Sequence, residues 1–178
     1  MILETERLIL RPYRLADASS VHHYGSDPEV CRYTDFGPNT WDETLGFLQH
    51  ATDPAQPNVD CAITLRDADE VVGGVGARIK PQGVYELGWV LRRDLWGRGI
   101  ATEAARALTD HLLGLPGTTL ILARCRPENL ASARVMEKLG LTFIDLIKDD
   151  YEVRGSLVDS RLYACAAKPS ASPSAHSV

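Results

Sequence analysis

Apolar and polar positions alternate through Arg7–Tyr13 (R-L-I-L-R-P-Y), the two-residue period of a strand. Asp17 then stands as the cap of a short helix running to Tyr24. Ser26–Asn39 is rich in Asp, Gly and Pro and reads as a loop, and Trp41, Leu45 and Leu48 return at helical spacing behind Thr40 or Asp42 as helix starters. Three strand-like runs follow, Asp60–Arg66, Val71–Ile79 and Val84–Leu91, joined by the turns Asp67–Glu70 and Pro81–Gly83. Such short connections imply an antiparallel meander. Ala101, Ala104, Ala105, Leu108 and Leu112 then fall on one face of a helix over Ile100–Leu113. Thr118–Cys125 is a nearly continuous apolar run, the pattern of a strand buried on both faces. A helix over Asn129–Leu139 ends at Gly140. Strands at Leu141–Lys148 and Ser156–Ala166 flank the connection Asp149–Gly155.

The order β, α, α, β, β, β, α, β, α, β, β predicts one mixed α/β (α+β) domain over 1–166. Its sheet is expected to be largely antiparallel, with six to seven strands and about four helices. Val84–Cys125 should contribute a parallel, right-handed strand–helix–strand pair. The small and polar residues of 167–178 read as a disordered tail. The 178 residues are 44% hydrophobic and 24% charged, which suits one globular domain. A formal net charge of −5 argues against a sequence-independent grip on nucleic acid. No apolar run reaches the ~18 residues of a membrane span, and Met1–Arg14 lacks the pattern of a secretory leader. The four cysteines form no C-x-x-C pair, and the five histidines form no H-x-x-x-H or triad-like grouping. Free thiols in the cytoplasm and no metal are therefore expected.

The chemistry concentrates in Leu91–Glu103 (L-R-R-D-L-W-G-R-G-I-A-T-E), where a strand runs through a glycine-containing loop directly into a helix. Free N–H groups and the positive end of the helix dipole converge at such a junction and suit an anion, above all a phosphate. Gly97 and Gly99 allow close approach of the main chain, and Arg92, Arg93 and Arg98 add positive charge. A dinucleotide fingerprint fails, because Thr102 stands where the third Gly belongs and no acid lies about 20 residues on. A Walker loop fails for want of a Gly-Lys pair.

The loop resembles the coenzyme A loop of the GNAT superfamily of N-acetyltransferases, Gln/Arg-x-x-Gly-x-Gly/Ala. Gly99 and Ala101 match, and Trp96 replaces the Gln or Arg. Arg126–Leu141 resembles the second signature of that superfamily at Asn129, Glu137, Lys138, Leu139 and Gly140, with Leu141 in place of Phe. Thr5–Tyr13 and Trp96–Ala104 resemble the RimJ/RimL-like branch, the ribosomal-protein N-terminal acetyltransferases. The resemblance spans about Thr5 to Ala164.

It implies a GNAT fold with a sheet splayed at its centre, and acetyl-CoA as co-substrate. The arm of the coenzyme would pair with the backbone of Trp89, Val90 and Leu91. Its pyrophosphate would rest on the N–H groups of Gly97, Arg98, Gly99, Ile100, Ala101 and Thr102, with Asn129 nearby. A primary amine, either a protein N-terminus or a small molecule, would attack the thioester directly, with an N–H near Leu91 stabilising the oxyanion. Glu86 carries two readings, a general base acting through water or a structural partner of an Arg. Glu103 is explained by the dipole at its helix start; Asp150 and Glu152 are further candidates. Met136 stands where many relatives have a catalytic Tyr. Ser132 is the candidate acid or thiolate donor, or else it serves the cap with Asn129. Tyr33, Phe36 and Trp41 would line the acceptor site or pack as a lid. Members of the branch are often homodimers. A non-catalytic acyl-CoA-binding module of the same fold is the alternative function.

Overall fold

The computed structural model describes residues 1–167. The expected tail thus lies, from residue 168 on, outside the described residues. One eight-stranded sheet forms the centre: β1 (Leu3–Glu4), β2 (Leu8–Arg11), β3 (Val59–Leu65), β4 (Val71–Lys80), β5 (Val84–Leu91), β6 (Leu120–Cys125), β7 (Thr142–Val153) and β8 (Ser156–Ala166). Their spatial order is β1-β2-β3-β4-β5-β6-β8-β7. Every pairing is antiparallel except β5 with β6. Among the described residues the four α-helices are α1 (Ala18–Gly25), α2 (Trp41–Ala51), α3 (Ile100–Leu113) and α4 (Leu130–Lys138).

The sheet carries a core on each face. On one, α3 and α4 bury Ala104, Ala105, Leu108, Leu112 and Met136 against Leu10, Ile63, Val75, Leu87 and Ile121. On the other, Val21, Tyr24 and Leu48 of α1 and α2 pack on Tyr13, Ala62 and Val71. Successive strand residues point to opposite faces. Leu87 and Leu91 of β5 therefore belong to the first core, while Glu86, Gly88 and Val90 face the second.

Several expectations need correction. The sheet has eight strands because Leu3 and Glu4 pair with Leu10 and Ile9, a ladder too short to leave a periodic signal. β6 is not buried on both faces: Ile121, Ala123 and Cys125 are buried, but Leu120, Leu122 and Arg124 are only partly covered. β7 runs on to Val153, through the segment expected as a connection, and leaves only Arg154–Gly155 as the turn. Asp17 makes no side-chain bond to α1. Its carboxylate instead accepts from Arg11 (2.8 and 2.9 Å) and from the Arg14 N–H (2.7 Å). Thr40 does start α2: its hydroxyl accepts from Glu43 N, and the Glu43 carboxylate accepts the Thr40 N–H in return.

Candidate active site

The parallel ladder between β5 and β6 runs from Val84–Leu120 to Leu87–Ala123 and stops there. β5 continues to Leu91 paired with β4 alone, and β6 continues to Cys125 paired with β8. The two strands therefore part at Gly88, and the sheet is splayed at its centre. The Arg92 N–H donates to Val72 O on β4 (2.8 Å). Since backbone groups alternate sides along a strand, Trp89 and Leu91 present their N–H and C=O groups to the opening. The Leu91 carbonyl is taken by the indole of Trp96, whose Nε1 donates to it at 2.7 Å. The Leu91 N–H stays directed into the gap.

At the open end the chain makes a 3-10 turn at Arg93–Leu95 and then enters α3 through Trp96–Gly99. Gly97 (φ 74°) and Gly99 (φ 77°) both lie in the left-handed region. A Cβ on Gly97 would meet nothing within 4 Å, so its backbone faces open space. Glu103 N–H to Gly99 O (3.0 Å) is the first bond of the helical ladder. The N–H groups of Ile100, Ala101 and Thr102 are left over, as at any helix start. The loop is held from behind. Arg7 donates through Nη1 to Arg98 O (3.0 Å) and through Nε to Glu103 (2.7 Å), and Glu103 also accepts from Thr5 Oγ1 (2.6 Å) and Arg7 N (3.0 Å). Burial works against the Glu103 charge, but these donors outweigh it and hold the carboxyl below its ordinary value. Glu103 is thus a clamp.

Glu86 and Arg124 sit at the apex of the splay. Glu86 lies 2.9 Å from Lys80 Nζ and 3.3 Å from Arg124 Nε. Arg124 also donates to Asp150 (3.0 and 3.1 Å), which accepts from the Ser160 hydroxyl as well. Asp150 is therefore committed to an ion pair, whereas Glu152 is exposed. Asn129 caps α4 by accepting from Ser132 N (3.1 Å), and Ser132 is half-buried at the first turn. Met136 is 1% exposed, packed in the core.

Of the residues expected around the acceptor, Tyr33 and Phe36 lie on a loop tied to the β7–β8 turn, where Arg154 donates to the carbonyls of Cys31 (3.2 Å), Phe36 (3.0 Å) and Gly37. Trp41 stands apart, 45% exposed, edge-on to His22 at 5.0 Å. Burial pushes the Cys61 and Cys125 thiols up to about 11, which keeps them protonated at neutral pH.

Sequence reasoning passed over Asp60. It lies on β3 in one row with Gly76 and Gly88, since Asp60 pairs with Gly76 and Gly76 with Gly88. A Cβ on Gly76 would come within 2.7 Å of Asp60 Oδ1, while one on Gly88 would meet nothing within 4 Å. The carboxylate thus leans over a floor without side chains, beside the point where the sheet opens. Burial raises its pKa, and the positive charges of His50 and Arg78 offset part of that rise. The signal available in the sequence was indirect: the expected hairpin sets the strand that opens at Asp60 against the strand carrying the glycine-rich run Gly73–Gly76.

A family model described as an acetyltransferase (GNAT) domain matches residues 7–142. The uncharacterized N-acetyltransferase p20 of Bacillus licheniformis is 33% identical over 168 residues, 91% of this chain and 94% of that protein. A GNAT-family acetyltransferase from Bacillus anthracis superposes with a TM-score of 0.85 at 28% identity, over 94% of this chain and 99% of the other. RimL, a ribosomal L7/L12 alpha-N-protein acetyltransferase solved with coenzyme A, shares the fold at a TM-score of 0.81 and 19% identity, over 93% of this chain and 98% of its own.

Proposed function

The chain belongs to the GNAT acetyltransferase family, and from that premise we propose that it moves acetyl from acetyl-CoA to a primary amine by direct attack in a ternary complex. The observation that carries this reading is the parting of β5 and β6 at Gly88, in line with the open N-terminus of α3. In this reading the pyrophosphate rests on the N–H groups from Gly97 to Thr102, with Arg98 adding charge. The pantetheine arm follows the free edge at Trp89 and Leu91, whereas the backbone of Val90, expected to join them, is turned to Gly74 on β4; the Leu91 N–H faces the developing oxyanion. The residues fit the coenzyme: both loop glycines lack a Cβ where phosphate oxygens would approach, and Trp96 already satisfies the Leu91 carbonyl.

Asn129 orders the first turn of α4, so that Ser132 serves as hydrogen-bond donor to the departing thiolate. The ion pairs of Glu86 with Lys80 and Arg124 support its structural reading, a brace at the apex of the splay. The acceptor enters on the α1–α2 side, past Tyr33. The likeness to RimL supports a protein N-terminal α-amine as acceptor, consistent with the RimJ/RimL-like motifs at Thr5–Tyr13 and Trp96–Ala104. An α-amine needs less help to lose its proton than a lysine, since reference pKa values are about 7.7–8.0 against about 10.4. Free thiols and a negative net charge suit the cytoplasm. A homodimer suits the outer edge of β7, where Phe143, Ile144 and Leu146 are 49, 56 and 40% exposed.

The test is thiol release from acetyl-CoA against short peptides of varied N-terminal residue and small amines, with calorimetry of acetyl-CoA binding. Turnover with one class, lowered at least about tenfold by Ser132→Ala without loss of coenzyme affinity, is expected. Binding without turnover across the panel would favour a non-catalytic acyl-CoA module. No binding would refute the loop reading.

A further inference from the structure

On the α1–α2 face of the sheet, carboxylates gather around the apex of the splay, and their charges divide unequally. Glu86 is paired with Lys80 and Arg124, Asp150 with Arg124, and Asp35 with Arg78 at 3.0 Å. Asp60 has no hydrogen-bond or ion-pair partner among the described residues, although it is half-buried. The groups that face it are Arg78 on β4, already engaged by Asp35, His50 at the end of α2, and the Tyr13 hydroxyl. Tyr13 is neutral: burial drives its pKa well up, and its hydroxyl shares a hydrogen bond with Tyr24 at 3.2 Å. On this face Asp60 is thus a carboxylate that no cation bonds directly among the described residues, with Arg78 and His50 acting on it only at longer range. It stands above Gly76, one strand away from the open position over Gly88. A side chain on Gly76 would collide with Asp60 Oδ1 and with Val59 O (2.6 Å), so the glycine is what allows the carboxylate to lie there.

We propose that Asp60 is a catalytic residue of the acetyl transfer: it holds the acceptor's ammonium over the Gly76–Gly88 floor and takes the proton that nitrogen must lose before it attacks. The proposal rests on the acetyltransferase reading above and adds the group that selects a cationic amine. The proton passes from R–NH3+ to the Asp60 carboxylate, directly or through one water. The freed lone pair forms the bond to the thioester carbonyl carbon, the C–S bond breaks, and the electron pair leaves on the coenzyme thiolate. The second proton, which the nitrogen sheds as the adduct collapses to the amide, passes to that thiolate and closes the balance as amide and free thiol. Burial lifts this carboxyl above its ordinary value, which makes it the stronger base for the step.

The experiment compares full-length wild type with Asp60→Asn in three measurements. Acetyl-CoA affinity by calorimetry is expected to agree within about twofold, showing that the coenzyme site is intact. Turnover with the peptide and small-amine panel is expected to fall about a hundredfold or more, and the acid limb of kcat/KM is expected to vanish. In 13C spectra of aspartate-labelled protein, one carboxyl absent from the variant should titrate above the ordinary aspartate value of about 3.9. That signal should move when methylamine is added as a probe. Retained turnover with the acid limb in place, or an Asp60 carboxyl that titrates ordinarily and ignores methylamine, overturns the proposal. Failure of wild type to bind acetyl-CoA refutes the coenzyme reading instead. If wild type binds acetyl-CoA but turns over no amine in the panel, the acetyltransferase reading fails and the catalytic role of Asp60 fails with it.

Discussion

The clamp at Glu103 gives a prediction that joins stability, pH and coenzyme binding. Glu103→Gln keeps one carbonyl oxygen for Thr5 and the Arg7 N–H, but turns an amide toward the Arg7 guanidinium, donor against donor. Hydrogen bonds to a charged group contribute about 1.5–3 kcal/mol. The Arg7 side chain is 45% exposed and Glu103 18%, so water recovers part of the loss, and about 1–2 kcal/mol is the reasonable cost. A chain of this length changes its Tm by about 2–4 °C per kcal/mol, so the variant should melt about 2–8 °C lower at pH 7. The sign with pH follows from the depressed carboxyl. A group whose folded pKa lies below the unfolded value, about 4.3 for Glu, stabilises fully above that value. It loses its contribution as pH falls through the folded pKa. The gap between the two melting curves should thus be constant from pH 8 to about 5 and close below about 4. Other acids titrate in both proteins and cancel in the difference. Because Arg7 also holds the Arg98 carbonyl, coenzyme affinity should weaken about three- to tenfold. Melting curves at several pH values and calorimetry read all three. An unchanged Tm at pH 7, or a gap as wide at pH 3 as at pH 7, refutes the clamp.

Two further substitutions probe the coenzyme site. Gly99→Ala meets only Arg7 Nη2 at 3.5 Å, an ordinary contact, so its effect is the left-handed backbone alone. That costs about 1–2 kcal/mol, and if the loop relaxes by turning its N–H groups, acetyl-CoA affinity drops about 5- to 30-fold by calorimetry. Asn129→Ala removes a cap worth about 1 kcal/mol and lowers Tm by about 2–4 °C, while Asn129→Asp restores it. A variant that melts unchanged would remove the cap from the account.

The parts of the fold that follow local rules were legible in the chain. The apolar face of α3 is the clearest case: Ala104, Ala105, Leu108 and Leu112 are all at 0% exposure, as the 3.6-residue period requires. The glycine loop and the cap at Asn129 were equally local. β6 misled because its apolar run implies two covered faces, whereas the core covers only the face of Ile121, Ala123 and Cys125 and leaves Leu120 and Leu122 partly exposed. The end of β7 misled because Lys148, Asp149 and Asp150 look like a loop. On an edge strand both faces meet water, so burial imposes no alternation. At the site, the missing information was long-range. Arg7 and Glu103 meet across 96 residues and Arg124 and Asp150 across 26. Nothing in the spacing of Asp60 tells that no cation bonds to it among the described residues, whereas Asp35, Glu86 and Asp150 each hold one.

Trp96 occupies the position where the family pattern carries Gln or Arg, and its indole spans from the phosphate loop to the Leu91 carbonyl, 47% exposed. An indole so placed is a built-in optical probe. Its emission responds to the polarity around the ring, and in this reading the ring borders the path of the coenzyme. Occupancy could be followed by fluorescence at sub-micromolar protein, with no dye attached. Trp96→Phe would identify its share against Trp41 and Trp89, the two other tryptophans of the chain.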